Sequence, residues 1–547
     1  MSGRTMSGRT AHARAWLGIP RRVWLYALLF AAITSLPYVF GYLAAPEGGA
    51  FTGNALAQAR VDYNSQLARA WSGYEGSWLH VDRFTPEDHP PILMQPLYSA
   101  FGHISRLTGL PLDATYNLGR FVLALVMVLV IWLFAARFLE GDRARWTALL
   151  LATMAGDLGW VLYFVAPAQA AAVAPIEFWL FDAHTFMVAL AFPHFAGAVI
   201  TLLAFLLGFD RWLARPSWRG IGWLVLWSLL AGQFMPYAML LTALIVAVLS
   251  LGALARGRLT VRQVLMLIPV ALAHAAVVIY YAVALASDPV WQGFTAQNLT
   301  LSPAPVYYLL GYAWLLVPGV LGLWQLWRTR DGRWLVPLAW VLIVGPLLYA
   351  PLPTQRRFLM GVQVPLALLA AVGVERARAW WIGRGRTLAR WRLLMAVLLL
   401  LSALSPVLVM ARVLGQLNPA ASPDLFLSAD EISALAWLRD QPPETVVLAT
   451  FESGGQAVAF SGRRVYLGHW IETPDFPARQ TNVIAFFKTE GIHLEDDARL
   501  ALLVDYRIGY VWYDDNARAI GDWSPDGVPW LDVAFSAGSV TVYEVVP

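Results

Sequence analysis

The chain of 547 residues contains no cysteine. Disulfides, thiolate metal sites and cysteine nucleophiles are therefore excluded, and any part facing an oxidising compartment is held by packing alone. Charge is scarce as well: Asp, Glu, Lys and Arg make up 14% of the residues, where a soluble domain carries about 25%. Lysine is almost missing, Lys488 being the one lysine among 39 basic residues. That arginine bias, beside abundant Ala, Leu and Gly, reads as the product of a GC-rich bacterial genome. What fills the chain instead is apolar, 59% of all residues. A soluble core cannot absorb so much apolar surface, whereas a bilayer can. The composition calls for a polytopic integral membrane protein.

The N-terminus opens with an exact duplication, MSGRTMSGRT, which reads as a tail. Arg14, Arg21 and Arg22 precede an apolar run that continues past signal-peptide length without an A-x-A site, so it reads as an uncleaved first span. Stretches long enough to cross about 30 Å of hydrocarbon follow at 23–43, 118–137, 146–165, 195–212, 221–235, 237–255, 263–285, 306–326, 334–350, 359–376 and 393–411. Pro236 splits the pair within 221–255. The expected fold is an all-α membrane bundle of about eleven transmembrane helices with a long first outer loop, plus a C-terminal soluble α/β domain.

Charge gives the topology. With the N-terminus in the cytoplasm, the inner segments are 1–22, 138–145, 213–220, 256–262, 327–333 and 377–392. Each carries an arginine cluster, from Arg143 and Arg145 to Arg384, Arg386, Arg390 and Arg392, as the positive-inside rule requires. An odd number of spans then puts the C-terminal domain outside. The expected organisation is a cytoplasmic basic tail over 1–22, a transmembrane domain over 23–411 with its first outer loop at 44–117, and an extracytoplasmic domain over 412–547.

Polar residues concentrate on the outer side. In the first outer loop Asp62 is followed by Tyr63 and Asn64; a carboxylate near the membrane surface can act as general base on a hydroxyl, or simply cap a helix. His89 lies in the polar stretch with Glu87 and Asp88, between stripes that read as interfacial helices. The second loop adds Glu177, Asp182, His184 and His194, and Asp157 lies in the apolar stretch before it. These histidines and carboxylates could hold a divalent cation, although no sharp metal spacing is present. A third loop offers Trp291, Gln292, Gln297 and Asn298, types that suit sugar recognition and also any interfacial loop. Arg356 and Arg357, in PLPTQRRFLMG, break the positive-inside pattern by lying outside. They read either as lipid snorkels or as a clamp for a phosphate, which the guanidinium fork suits. The inner loops are short and hold no P-loop or Gly-rich cradle, so no nucleotide-driven chemistry and no nucleic-acid partner is expected there.

From about 425 the composition becomes that of a soluble α/β domain. DEISALAWLRDQ, FPARQTNVIAFFKT and LEDDARLALLVDY read as helices; TVVLAT, RIGYVWYDD, VPWLDVAFS and SVTVYEVVP read as strands. The segment GRRVYLGHWIETPD gathers Arg463, Arg464, His469, Trp470 and Glu472. It reads as a strand with a polar turn, or as a cap over the outer cavity.

This organisation, with the segments DYNSQLARAWSGYEGSWL, FPHF, QNLTLSPAPVYYLLGY and PTQRRFLMG, resembles the GT-C superfamily of integral membrane glycosyltransferases, of the protein O-mannosyltransferase and lipid A aminoarabinose transferase type. The resemblance implies a polyprenyl-phosphate-linked sugar donor and inverting transfer to a glycan, lipid or protein on the extracytoplasmic face of a bacterial inner membrane. It implies that Asp62 deprotonates or orients the acceptor hydroxyl and that Arg356 and Arg357 bind the donor's phosphate. Tyr63, His89, Asp182, His184, His194, Gln297 and Asn298 are the further candidates for substrate contact. The first loop lacks the Asp-Glu pair of the protein O-mannosyltransferases, since Tyr63 follows Asp62. Two other functions fit the same sequence: a transporter or flippase of lipid-linked saccharide, and a non-catalytic envelope assembly protein.

Overall fold

The computed structural model describes residues 18–156 and 158–546. The duplicated N-terminal segment with Arg14, and Asp157, lie outside the described residues. Each of the eleven apolar segments contains helix. Among the described residues six helices are long and apolar enough to cross a membrane: Arg21–Leu43, Leu112–Phe138, Pro193–Ala214, Ala238–Ala255, Val261–Ala286 and Leu388–Gln416. Counting each of two bent helix pairs as one span brings the number to eight. One of these pairs, Pro305–Gly311 and Ala313–Thr329, turns through 82° at its break. The chain is a multi-pass membrane protein. Trp218–Phe234, with 17 residues, ends where the sequence demands it. Met235 is extended, with φ −153° and ψ 93°, because the ring of Pro236 disfavours helical backbone in the residue before it.

The chain divides into two compact units. One comprises residues 18–36, 119–278 and 300–412 and carries most of the apolar helices. Its helices Ala313–Thr329 and Gln363–Gly383 touch backbone to backbone. A Cβ at Gly322 would fall 2.0 Å from the Leu369 carbonyl oxygen, and one at Gly373 1.9 Å from that of Pro318. Small residues permit that approach where lipid offers no hydrophobic drive between helices.

The other unit comprises 37–118, 279–299 and 413–546. Its sheet of five strands is ordered β4-β3-β5-β7-β6, with β3 (Val446–Leu448) parallel to β4 (Arg464–Val465) and to β5 (Tyr510–Tyr513). The hairpin β6 (Leu531–Ala537) and β7 (Val540–Val545) closes the edge antiparallel to β5. Period-two alternation divides the sheet's side chains between two cores. Val447, Val465, Trp512 and Val542 face Leu435, Leu438 and Val458, while Val446, Leu448, Val511 and Tyr543 face Val483, Phe486 and Leu503. The helix Ala429–Arg439 starts at a capping box in which the Ser428 hydroxyl and the Glu431 carboxylate exchange bonds with the opposite backbone N–H. The segment 44–117 belongs to this unit. Its residues Ala68 and Phe84 lie in the first core, and β1 (Ala50–Phe51) pairs antiparallel with β2 (Phe426–Leu427).

The helix Arg60–Tyr74, which carries Asp62, is fixed by a reciprocal glycine contact with the helix Pro96–Thr108. A Cβ at Gly73 would lie 1.8 Å from the Ser99 carbonyl oxygen, and one at Gly102 1.9 Å from that of Ala70. The obstructing atoms are backbone, so they cannot rotate away. Gly73→Ala is expected to destabilise this unit by about 3 kcal/mol, the upper end for overpacking, read as a lowered thermal midpoint in detergent. An unchanged midpoint would mean that the two helices do not meet there.

Candidate active site

Asp62, Ser65 and Arg69 stand at i, i+3 and i+7 of the helix Arg60–Tyr74 and therefore share a face. Against that face lies the turn that follows β4. Glu472 of this turn accepts at Oε1 from Ser65 Oγ and from Arg69 Nη2, both at 2.6 Å. The ion pair is buried, with side-chain exposures of 5% for Arg69 and 3% for Glu472. Burial alone would push the Glu472 carboxyl up, but Arg69, His469 and Ser65 outweigh it and hold the group below its ordinary value. Glu472 is the ionised member of the cluster.

Its neighbour Asp82 behaves the other way. Burial, then the charge of Glu472, raises the Asp82 carboxyl well above the usual range, so one of the two keeps its proton. His80 is fully buried beside them, and burial with the nearby Arg69 and Arg83 charges holds it neutral. His469 accepts at Nδ1 from the backbone N–H groups of Ile471 and Glu472, at 3.0 and 3.1 Å, and burial lowers its pKa too. Asp62 itself is half-buried. Its carboxylate is near enough to His469 to act on it electrostatically. The structure thus brings together Asp62, His469 and Glu472.

These neutral histidines set a pH dependence. The folded pKa of His80 lies below the unfolded value of about 6.5. Below pH 6.5 the unfolded chain gains a proton that the folded one refuses, so stability falls as the pH falls. Asp82, whose folded pKa is raised, acts in the opposite sense: its contribution is lost as the pH rises. His469 and His89 act with His80. His80→Gln is expected to flatten the acid slope of the unfolding free energy by about 1.4 kcal/mol per pH unit below 6.5. A slope identical to wild type would show that His80 is protonated in the fold.

Other sequence candidates in this unit have committed polar atoms. The Tyr63 hydroxyl donates to the Thr52 carbonyl at 3.0 Å. His89 accepts at Nε2 from the Asp82 N–H at 2.9 Å and donates from Nδ1 to the Glu87 carbonyl at 2.8 Å. The Gln297 amide donates to the carbonyls of Ile471 and Thr473, both at 3.0 Å, and accepts from the Phe476 N–H at 3.3 Å. Gln297 therefore clamps the very turn that carries Glu472. Asn298 is the C-cap of the helix Pro289–Gln297.

In the other unit the segment 166–194 is pinned at several points. Tyr312 donates to the Ala183 carbonyl at 2.6 Å, His184 Nε2 lies 2.9 Å from the Gly311 carbonyl, and the Thr185 N–H donates to Gln363 at 2.7 Å. Asp182, 1% exposed, pairs with Arg357 at 3.3 Å. The two arginines sit in the 3-10 turn Gln355–Leu359. Arg357 lies over the Phe195 ring at 5.6 Å and Arg356 over the Trp179 ring at 5.3 Å. His194 packs on Phe195 with ring centres 4.3 Å apart. So Arg357 and His194 meet on one aromatic ring, and Asp182 holds Arg357 there. Among the described residues no three His, Asp or Glu side chains converge to hold a metal ion. Asp182 is paired with Arg357, and Nε2 of His184 lies on the Gly311 carbonyl.

Sequence reading passed over Ser65, Arg69, His80 and Asp82. The signal for the first two was present, since with Asp62 they mark one helix face at 3.6-residue spacing. The pairing with Glu472, some 400 residues away, had no local signal.

No protein-family model matches the chain, and no curated protein matches it. Solved structures do. The oligosaccharyltransferase of Archaeoglobus fulgidus, in complex with Zn and sulfate, superposes with a TM-score of 0.51 at 12% identity, over 95% of this chain and 72% of that one. The arabinofuranosyltransferase AftD from Mycobacteria gives 0.49 at 15% identity, over 97% of this chain and 40% of that one. The likeness to the oligosaccharyltransferase takes in the membrane helices, the folded segment 44–117 and the C-terminal sheet domain, and it is a likeness of fold.

Proposed function

We propose that the chain is a glycosyltransferase that moves a sugar from a polyprenyl-phosphate-linked donor to an extracytoplasmic acceptor with inversion. Asp62 is the base that takes the acceptor hydroxyl's proton. The observation that carries this reading is the state of the carboxylates around it. Glu472 is locked to Arg69 and Ser65, and burial favours the protonated form of Asp82. Asp62 is half-buried and has no hydrogen-bond or ion-pair partner among the described residues. It is the carboxylate that remains able to accept a proton from a ligand.

Arg356 and Arg357 bind the donor's phosphate and stabilise the charge that develops on it as the sugar leaves. Asp182 orients Arg357, with Phe195 and Trp179 beneath the two guanidinium planes supporting them. His184 and His194 hold the loop and ring that carry this arrangement. Tyr63, His89 and Gln297 brace the first-loop side through their bonds to Thr52, to Asp82 and Glu87, and to the turn of Glu472, and Asn298 caps the helix that carries Gln297. In this reading the N-terminus is cytoplasmic, the number of spans is odd, and residues 412–547 lie on the outer face of a bacterial inner membrane, where such donors present their sugar.

The phosphate assignment is open to direct test. A charge-assisted hydrogen bond contributes about 1.5–3 kcal/mol, so Arg356→Gln is expected to weaken binding of a polyprenyl phosphate probe about 10- to 100-fold. Arg356 is preferred to Arg357 for this purpose, because removing Arg357 strands a buried Asp182. Undiminished binding of the probe would remove Arg356 from the donor site.

A further inference from the structure

We propose that His469 is the positioning residue for Asp62, donating its Nε2–H to the Asp62 carboxylate and so setting the direction in which that carboxylate meets the acceptor hydroxyl. The inference rests on the reading of Asp62 as base and assigns a role to a residue far from it in sequence. Three observations carry it.

The first is the tautomer. Nδ1 of His469 accepts from two backbone N–H groups, those of Ile471 and Glu472. A ring nitrogen with two donors aimed at it has no proton, so in the neutral imidazole the proton resides on Nε2. The second is burial. His469 is 2% exposed, and Nε2 is buried with no hydrogen-bond partner among the described residues. Water cannot serve as that partner from bulk, so the donor is satisfied from within the cluster. The third is the geometry of the turn. Glu472, three residues on, grips Ser65 and Arg69, which lie on the same helix face as Asp62. The turn therefore presents His469 to the Asp62 end of that face, and the two groups already interact electrostatically. Catalytic hydrogen bonds are often long until substrate is bound and tighten in the complex.

The competing recipient is Glu472, whose Oε2 also lacks a partner. The two are separable. In ¹⁵N-histidine solid-state NMR of the full-length protein in lipid, with the His469 signals identified by their loss in His469→Gln, the expected state near neutral pH is the Nε2–H tautomer. Asp62→Asn is expected to shift its Nε2 signal. An Nδ1–H tautomer, or an Nε2 signal that ignores Asp62→Asn and follows Glu472→Gln, would overturn the proposal. This readout needs no turnover, so it decides the matter even if the chain proves not to transfer sugar.

The functional arm uses a deletion strain complemented at matched membrane abundance. His469→Phe keeps the ring packing on Phe84 and loses the donor; a misdirected base is expected to lower product formation about 10- to 100-fold. His469→Gln, whose amide nitrogen stands near the place of Nε2, is expected to recover most of it. Equal losses in both variants would mean that the imidazole serves packing alone.

Discussion

Asp62→Asn is expected to abolish sugar transfer, by about 10²- to 10⁴-fold if the carboxylate acts as general base, while the protein reaches the membrane at wild-type level. The two halves of that expectation come from the same geometry. Asp62 is half-buried on a helix whose position is set by Gly73, Gly102, Ser65 and Arg69, so replacing one carboxylate oxygen by an amide leaves the fold's contacts in place. What the amide cannot do is accept a proton at neutral pH. Full complementation by Asp62→Asn would make Asp62 structural and send the search for the base elsewhere.

The second large effect concerns stability. Glu472→Ala is expected to destabilise the unit that contains the C-terminal sheet by about 3–5 kcal/mol, because it leaves the Arg69 guanidinium buried without its counter-charge. The loss is far more than an exposed ion pair would cost, about 1 kcal/mol or less. Replacing both partners, as in Arg69→Met with Glu472→Leu, is expected to restore most of the stability, since no charge then remains uncompensated. Thermal unfolding in detergent of the two singles and the double tests this. If the double variant were as unstable as the single, the energy would lie in the Ser65 contact or in packing. Activity is expected to stay low in the double variant, because the turn that carries His469 loses its grip on the Asp62 face.

The fold was legible in the sequence wherever one physical preference dominated. Apolar runs of bilayer length became helices, Pro236 broke the helix where its ring must, and the periodicity of DEISALAWLRDQ became the helix Ala429–Arg439. The C-terminal strands followed from β-rich runs such as YVWY and VTVYEV, which became β5 and β7. The number of spans was less legible, because Trp218–Phe234 and Gly332–Leu347 are short for a bilayer and the helix ending at Gly311 bends sharply from the next. For the site, the sequence offered Asp62 and the arginine pair as isolated polar residues in apolar surroundings. It offered no way to see that Arg69 and Ser65 meet Glu472, that Gln297 clamps the Ile471–Phe476 turn, or that His89 holds the Asp82 loop. Those are pairings across long stretches of chain, set by tertiary packing rather than by local spacing.

The central claim is that a lipid-linked sugar leaves its carrier at this protein. Mass spectrometry of both the envelope glycans and the polyprenyl-linked sugars, in a deletion strain with and without the wild-type chain, tests it most directly. The account predicts that one glycan sugar disappears on deletion, that its polyprenyl-linked form accumulates, and that the wild-type chain reverses both changes. Glycans and carrier pools unchanged by the deletion would contradict it.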